Sequence, residues 1–231
     1  MMYRVIFYFF LLCSSLFVNA NPTYFAHERF EKFGIQDGLS SSKVFDIKQD
    51  KDGYIWCATD EGFCRFDGIA FKNYRWAFEN SLDFTNQQAL KIYCDENRIY
   101  IGTNFGLLMY DVETDTYKIL KNNALQSENN LYSVHSIIKR KEGGLWIGTY
   151  GGGIGLYNNI KESFTIYNEE NGLPNNAINS IVADNNGRLW VSTLKGMSCF
   201  DPKSETFTNW DNKNGYSLLE INSIVTKNFL R

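Results

Sequence analysis

The chain has 231 residues, of which 44% are hydrophobic and 16% aromatic, and its 23 basic and 26 acidic side chains leave a formal charge of −3. This composition excludes a disordered or collagen-like chain, and the near balance of charge, with no Lys/Arg block, excludes a nucleic-acid binder held through phosphate contacts. Two histidines, His27 and His135, leave little for metal or acid–base chemistry. No catalytic group, metal or cofactor is therefore expected.

Residues 1–20 read as a secretory signal peptide. Arg4 gives the positive start, Val5 to Val18 is an apolar run, and Val18-Asn19-Ala20 places short residues where a signal peptidase cuts, after Ala20. Fourteen apolar residues are short for a bilayer span. The expected mature protein is periplasmic and, once cleaved, does not insert in the membrane.

Self-similarity dominates the rest. Tyr54-Ile55-Trp56-Cys57-Ala58-Thr59 recurs around Tyr100, as Leu145-Trp146-Ile147-Gly148-Thr149, and as Leu189-Trp190-Val191-Ser192-Thr193. The anchors Trp56, Tyr100, Trp146 and Trp190 are 44, 46 and 44 residues apart. Within a copy the pattern is that of short strands and tight turns. In the fourth copy, strands are predicted at Ile178 to Val182, Leu189 to Thr193, Met197 to Phe200 and Thr206 to Trp210, with Asp184-Asn185-Asn186-Gly187 and Asp201-Pro202 turning between them. In the second copy Asp95-Glu96-Asn97 replaces the Asp-x-x-Gly turn, with Asn97 expected in the left-handed position.

Four short antiparallel strands per repeat of about 44 residues predict an all-β fold, a β-propeller of four-stranded blades. One blade cannot bury both faces alone, so the anchor aromatics are expected between stacked sheets. Thr59, Thr103, Thr149 and Thr193 are expected to bond into the hairpin turn, and Gly62, Gly106, Gly152 and Gly196 to supply its residue with positive φ. All twelve are read as scaffold. Asp67, Asp111 and Asp201 recur at turns and are read as backbone acceptors, and Asp46 and Asp50 are read as flanking the first strand of blade one.

The ends carry partial copies. Phe30-Glu31-Lys32-Phe33 followed by Asp37-Gly38-Leu39-Ser40 matches Phe164 to Tyr167 followed by Asn171-Gly172-Leu173-Pro174, and Ile221-Asn222-Ser223-Ile224-Val225 repeats Ile178 to Val182. The organisation read from this is a lead segment over 21–29, a lone outer strand and loop over 30–40, and blades over 41–76, 77–121, 122–168 and 169–211. Residues 212–231 open a fifth blade. The propeller is therefore expected to be incomplete, the N-terminal fragment of a longer protein, its ring closed by remaining blades or by a partner chain.

Residues that depart from the repeat are the candidates for ligand contact. These are Arg75 and Trp76 after the first blade's last strand, and Tyr150 beside Gly151-Gly152-Gly153, a run with no side chains to block approach. The bland alternatives are that Trp76 packs under the loop from Ala77 to Gln88 and that the glycines only lengthen a turn. Cys57 and Cys64 stand opposite each other across a hairpin centred on Asp60-Glu61 and either bridge or stay free. The free state is favoured because Cys57 stands where other repeats carry Ile or Val.

Leu145-Trp146-Ile147-Gly148-Thr149-Tyr150-Gly151-Gly152-Gly153 and Asn171-Gly172-Leu173-Pro174-Asn175-Asn176 resemble the two-component regulator propeller repeat, and the resemblance extends over about residues 28–225. It implies the periplasmic input region of a hybrid two-component histidine kinase, in which paired propellers precede a membrane helix and a cytoplasmic kinase. It further implies an oligosaccharide as ligand and glycan-utilisation genes as the output. The expected function is non-catalytic ligand sensing. The alternatives are a periplasmic interaction scaffold completed by a partner or by self-association, and a propeller-type glycan lyase or hydrolase.

Overall fold

The computed structural model describes residues 31–75, 88–120 and 132–210. Residues 1–20, read as a signal peptide, Trp76 and the segment around Ile221 lie outside the described residues. The described residues from Phe33 onward belong to one compact unit.

Four antiparallel sheets follow one another along the chain, each with its strands in sequential order. The first contains β1 (Val44–Gln49), β2 (Ile55–Thr59), β3 (Gly62–Phe66) and β4 (Phe71–Tyr74), and the second β5 (Ala89–Asp95), β6 (Arg98–Thr103), β7 (Gly106–Asp111) and β8 (Thr116–Leu120). The third holds β9 (Ser133–Lys139), β10 (Leu145–Tyr150), β11 (Gly153–Asn158) and β12 (Ser163–Tyr167). The fourth holds β13 (Ile178–Ala183), β14 (Leu189–Thr193), β15 (Gly196–Asp201) and β16 (Thr206–Trp210), which is the pattern read from the fourth repeat. Successive sheets touch mainly through their first and second strands. They therefore fan outward from β1, β5, β9 and β13, as propeller blades do.

Alternation along each second strand explains the stacking, because neighbouring residues face opposite sides of a sheet. Trp56, Ala58 and Phe63 of the first blade meet Ile92, Ile99 and Ile101 of the second. Tyr100 and Leu107 turn to the other side and meet Val134, Ile137 and Ile147 of the third. Trp146 and Ile154 in turn meet Ile178, Ile181 and Val191 of the fourth. Trp56, Tyr100 and Trp146 are each at most 2% exposed. Trp190, the fourth anchor, is only half-buried and stacks on Trp210 at 5.5 Å.

The turns are held by side chains that return to the backbone. Asp50 accepts from the Tyr54 amide at 3.0 Å and from the Trp56 indole N–H at 2.7 Å. Asp184 repeats this with the Arg188 amide and, at 3.3 Å, the Trp190 indole. The Asp before each of these turns thus also orients the anchor aromatic. Asp67, Asp111 and Asp201 accept from amides two residues on.

In three places the structure differs from the sequence reading. In the second blade Glu96, not Asn97, takes positive φ (53°), because Asn97 instead uses its carbonyl to receive the Val112 amide. In the third hairpin the positive-φ residues are Gly151 and Gly153, not Gly152. That turn is one residue longer, so Thr149 reaches Gly153 O, whereas Thr59, Thr103 and Thr193 reach Gly62 O, Gly106 O and Gly196 O. Residues 31–34 pair with no described sheet, each of which already has four strands, so the partner blade of the lone outer strand lies outside the described residues. Asp46 does not serve a local turn. It receives the Ile92 amide of the next blade at 3.1 Å and the Lys91 ammonium at 3.3 Å, and Ser136 receives the Ile181 amide in the same way at 3.1 Å.

Several carboxylates titrate low. Asp115 receives the Tyr110 hydroxyl at 2.6 Å and the Lys72 ammonium at 2.9 Å, which hold it below the ordinary value of 3.8. Asp67 and Asp111 are lowered by backbone amides. A carboxyl depressed in the folded state stabilises it above the unfolded value and loses that contribution as pH falls through the folded value. The contribution of these carboxylates to thermal stability is thus expected to be flat between about pH 7 and 5 and to weaken progressively from about pH 4 downward, while the lowered His135 adds a loss that begins below about pH 6.5. Asp115→Asn should flatten the acid limb; an acid limb unaltered by the substitution would mean that Asp115 does not contribute to it.

Candidate functional site

In each blade the first strand begins, the second ends, and the last ends at the same edge of the sheet. The hairpins between second and third strands therefore share one face with the linkers into each first strand. Arg75 and Tyr150 both lie on this hairpin face.

Each first strand carries a bulge on that face, at Val44/Asp46, Ala89/Lys91, opposite Gly148/Thr149, and at Ile178/Ser180. A bulge leaves one residue unpaired and re-aims it. The four residues so placed are Phe45, Leu90, His135 and Asn179. Two positions on, the strands carry the constant Ile47, Ile92, Ile137 and Ile181. Phe45, His135 and Asn179 are exposed. The innermost wall thus presents four unlike side chains at one level, on a frame that otherwise repeats.

The third blade builds the densest group on this face. Tyr150, 47% exposed, has its ring centroid 5.6 Å from that of His135. The Ser133 hydroxyl is 3.0 Å from His135 Nε2. Desolvation lowers the His135 pKa below its ordinary 6.5, so the imidazole is neutral at pH 7 and can donate from one nitrogen while accepting at the other. The group therefore offers an aromatic face, a neutral imidazole and a hydroxyl.

The linker beside Tyr150 is held internally. Asn168 caps a 3-10 turn (Glu169–Asn171) that ends at Gly172 in the left-handed region. Glu169 accepts from the Asn175 side chain and the Asn176 amide, and Asn176 Oδ1 accepts from the Glu169 amide. The Asn176 carbonyl then receives both the Gly151 and the Gly153 amides at 3.0 Å, and Tyr150 bridges to Ala177. Tyr150 is thus presented by a hairpin clamped to the next blade's linker.

The three glycines have a packing role. A Cβ on Gly152 would stand 2.4 Å from the Tyr132 ring, and one on Gly151 2.8 Å from it. The space beside them is filled by Tyr132, so the expectation that the run leaves room for a ligand is corrected. Arg75 donates to Glu61 at 2.8 Å, with both side chains more than half exposed, in the first blade and apart from Tyr150. Trp76 lies outside the described residues. His135, Phe45 and Asn179 were missed in the sequence, although the non-repeating position two before each conserved Ile was the available signal.

On the opposite face a cleft of about 440 Å³ lies between the third and fourth blades, above Trp146. Its charges are largely engaged with one another: Arg140 with Glu142, Asp184 with Arg188, and the Lys141 ammonium with the Asn185 carbonyl. Among the described residues no cluster of His, Cys, Asp or Glu could hold a metal, and no helix is long and apolar enough to cross a membrane.

Comparison with known proteins agrees with this architecture. The sequence profile of the two component regulator propeller family matches residues 38–61, 127–151 and 172–195. The extracellular domain of a hybrid two-component system of Bacteroides thetaiotaomicron is 28% identical with a TM-score of 0.68, over 78% of this chain and 26% of that one. Another from the same organism is 25% identical with a TM-score of 0.62, over 78% and 23%. A histidine kinase, P4, of Formosa agariphila is 52% identical over 46 residues, 20% of this chain and 3% of the kinase. The chain thus spans about a quarter of the solved domains and a small part of the kinase. Three regions of this all-β chain match the two-component regulator propeller family, and its four described sheets are blades like those in the extracellular domains of hybrid two-component systems.

Proposed function

We propose that the chain is part of the exported, non-catalytic sensing region of a two-component system, and that its hairpin face binds an oligosaccharide whose presence controls glycan-utilisation genes. The observation that carries this reading is the group of Tyr150, His135 and Ser133, which departs from the repeat on an otherwise repeating scaffold. The C–H face of a sugar ring stacks on an exposed aromatic. Its hydroxyls pair with groups that both donate and accept, as the neutral imidazole and the serine do. The clamped linker keeps Tyr150 in place before binding, which lowers the ordering cost.

A hydrolase would need free carboxylates converging on a substrate, whereas a lyase would need a Tyr or His placed to move a proton. Asp46, near the first bulge, is already engaged by Ile92 and Lys91, which favours binding over hydrolysis; Tyr150 and His135 leave the lyase to the test of turnover. The half-buried Trp190–Trp210 pair is the surface on which a further blade packs, whether of this protein or of a partner chain. A stand-alone scaffold would also use that surface.

The test is titration calorimetry of the full chain against a panel of neutral and acidic oligosaccharides. Tyr150→Ala should weaken ligand binding by about fivefold or more, on the order of the 1 kcal/mol that an aromatic contact adds beyond burial, with thermal stability unchanged. Full-strength binding by the variant would remove Tyr150 from the site, and turnover of the ligand would favour the lyase or hydrolase.

A further inference from the structure

Cys57 and Cys64 are directly opposed Cα partners in β2 and β3. Both are buried, at 5% and 0% exposure, and both are free thiols in this structure. Directly opposed residues in an antiparallel pair have Cα atoms about 4.5 or 5.5 Å apart, within the range of about 4.4–6.8 Å that a disulfide spans. We infer that these two thiols form a cross-strand disulfide in the exported protein, closing the β2–β3 hairpin of the first blade.

The surroundings explain why this blade has the pair. At the matching positions the other blades carry Ile101 with Leu108, Ile147 with Gly155, and Val191 with Ser198, and Ile101, Ile147 and Val191 pack in the blade interfaces. In the first blade the apolar residues against the pair are Leu39, Ile55 and Phe71, and no described sheet packs on this side. A covalent cross-link there would tie β2 to β3 directly.

The chemistry is balanced by a disulfide oxidant, such as a thiol–disulfide exchange protein or, in vitro, glutathione disulfide. With the hairpin open either thiol can begin the exchange; when Cys64 begins it, its thiolate attacks one sulfur of the oxidant and expels the other as thiolate, forming a mixed disulfide. Cys57 gives up its proton and attacks Cys64 Sγ, expelling the second thiolate. Two electrons and two protons pass to the oxidant, which leaves as two thiols. Because both sulfurs are buried, the exchange takes place while the hairpin is open, during folding.

The inference rests on export for its occurrence in the cell, and the experiment separates the two. The reduced full chain is refolded with a mixture of glutathione disulfide and glutathione, alkylated and digested with trypsin. Residues 52–65 form one peptide holding both cysteines. It should appear unalkylated and about 2 Da lighter than the dithiol, with Cys94 and Cys199 alkylated. The oxidised chain should melt about 5 °C above the reduced one, as closing a short loop in the unfolded state implies, and Cys57→Ala should abolish the difference. Alkylation of both thiols after refolding, or a bridge to Cys94 or Cys199, overturns the pairing. The same peptide is then read from fractionated cells of the source organism. A reduced pair in exported protein overturns the inference. Finding the protein only in the cytoplasm overturns export, and the refolding result then stands alone for the pair.

Discussion

Trp56→Ala is expected to destabilise the chain by about 3–5 kcal/mol, the range for removing a large aromatic from a core. The indole is fully buried, stacks near Tyr74 at 5.7 Å and Tyr110 at 5.6 Å, and gives its N–H to Asp50. Its loss opens a cavity between two blades and leaves an Asp50 oxygen without that donor. Trp190→Ala is expected to cost clearly less, because Trp190 is half-buried and makes its ring contact with Trp210 of the same sheet. Denaturant unfolding of the two variants side by side checks the ranking. Equal losses would mean that Trp56 does not bridge two blades.

Gly153→Ala should cost more than 2 kcal/mol, on the order of a left-handed alanine with a clash added. Gly153 has φ of 79°, and a Cβ there would stand 2.3 Å from the Tyr167 carbonyl oxygen. A backbone atom held in β12 cannot swing aside as a side chain can. Gly187 has a similar φ of 82° but nothing within 4 Å of its Cβ position, so Gly187→Ala should lose about 1 kcal/mol for conformation alone. Thermal unfolding of the pair distinguishes clash from conformation. A Gly153→Ala chain as stable as Gly187→Ala would contradict the packing described for the third hairpin.

The scaffold was legible in the sequence because stacking imposes the same demand on every blade. An aromatic anchor, a turn Asp six residues before it in two blades, and a hairpin Thr recur wherever one sheet covers another. The third hairpin was misread by one residue because Gly151-Gly152-Gly153 offers three equivalent candidates, and only the Thr149 to Gly153 bond and the Tyr132 ring choose among them. Asp46 resembled a turn acceptor, since its real partner, the Ile92 amide, is 46 residues away. His135 was passed over for a similar reason. Its meaning comes from a bulge and from Tyr150 on the neighbouring strand, both of which depend on register. Tyr150 could be singled out because a side chain outside the repeat is visible without knowing where it lies.

The central claim is that recognition occupies the non-repeating group on the hairpin face, while the repeated residues only carry it. Hydrogen exchange of the full chain with and without a bound oligosaccharide tests this most directly. Slowed exchange is expected at residues 133–135, 150–153 and 175–177, with the turns at 140–144 and 184–187 unchanged. Protection confined to those opposite turns, around the cleft above Trp146, would contradict it.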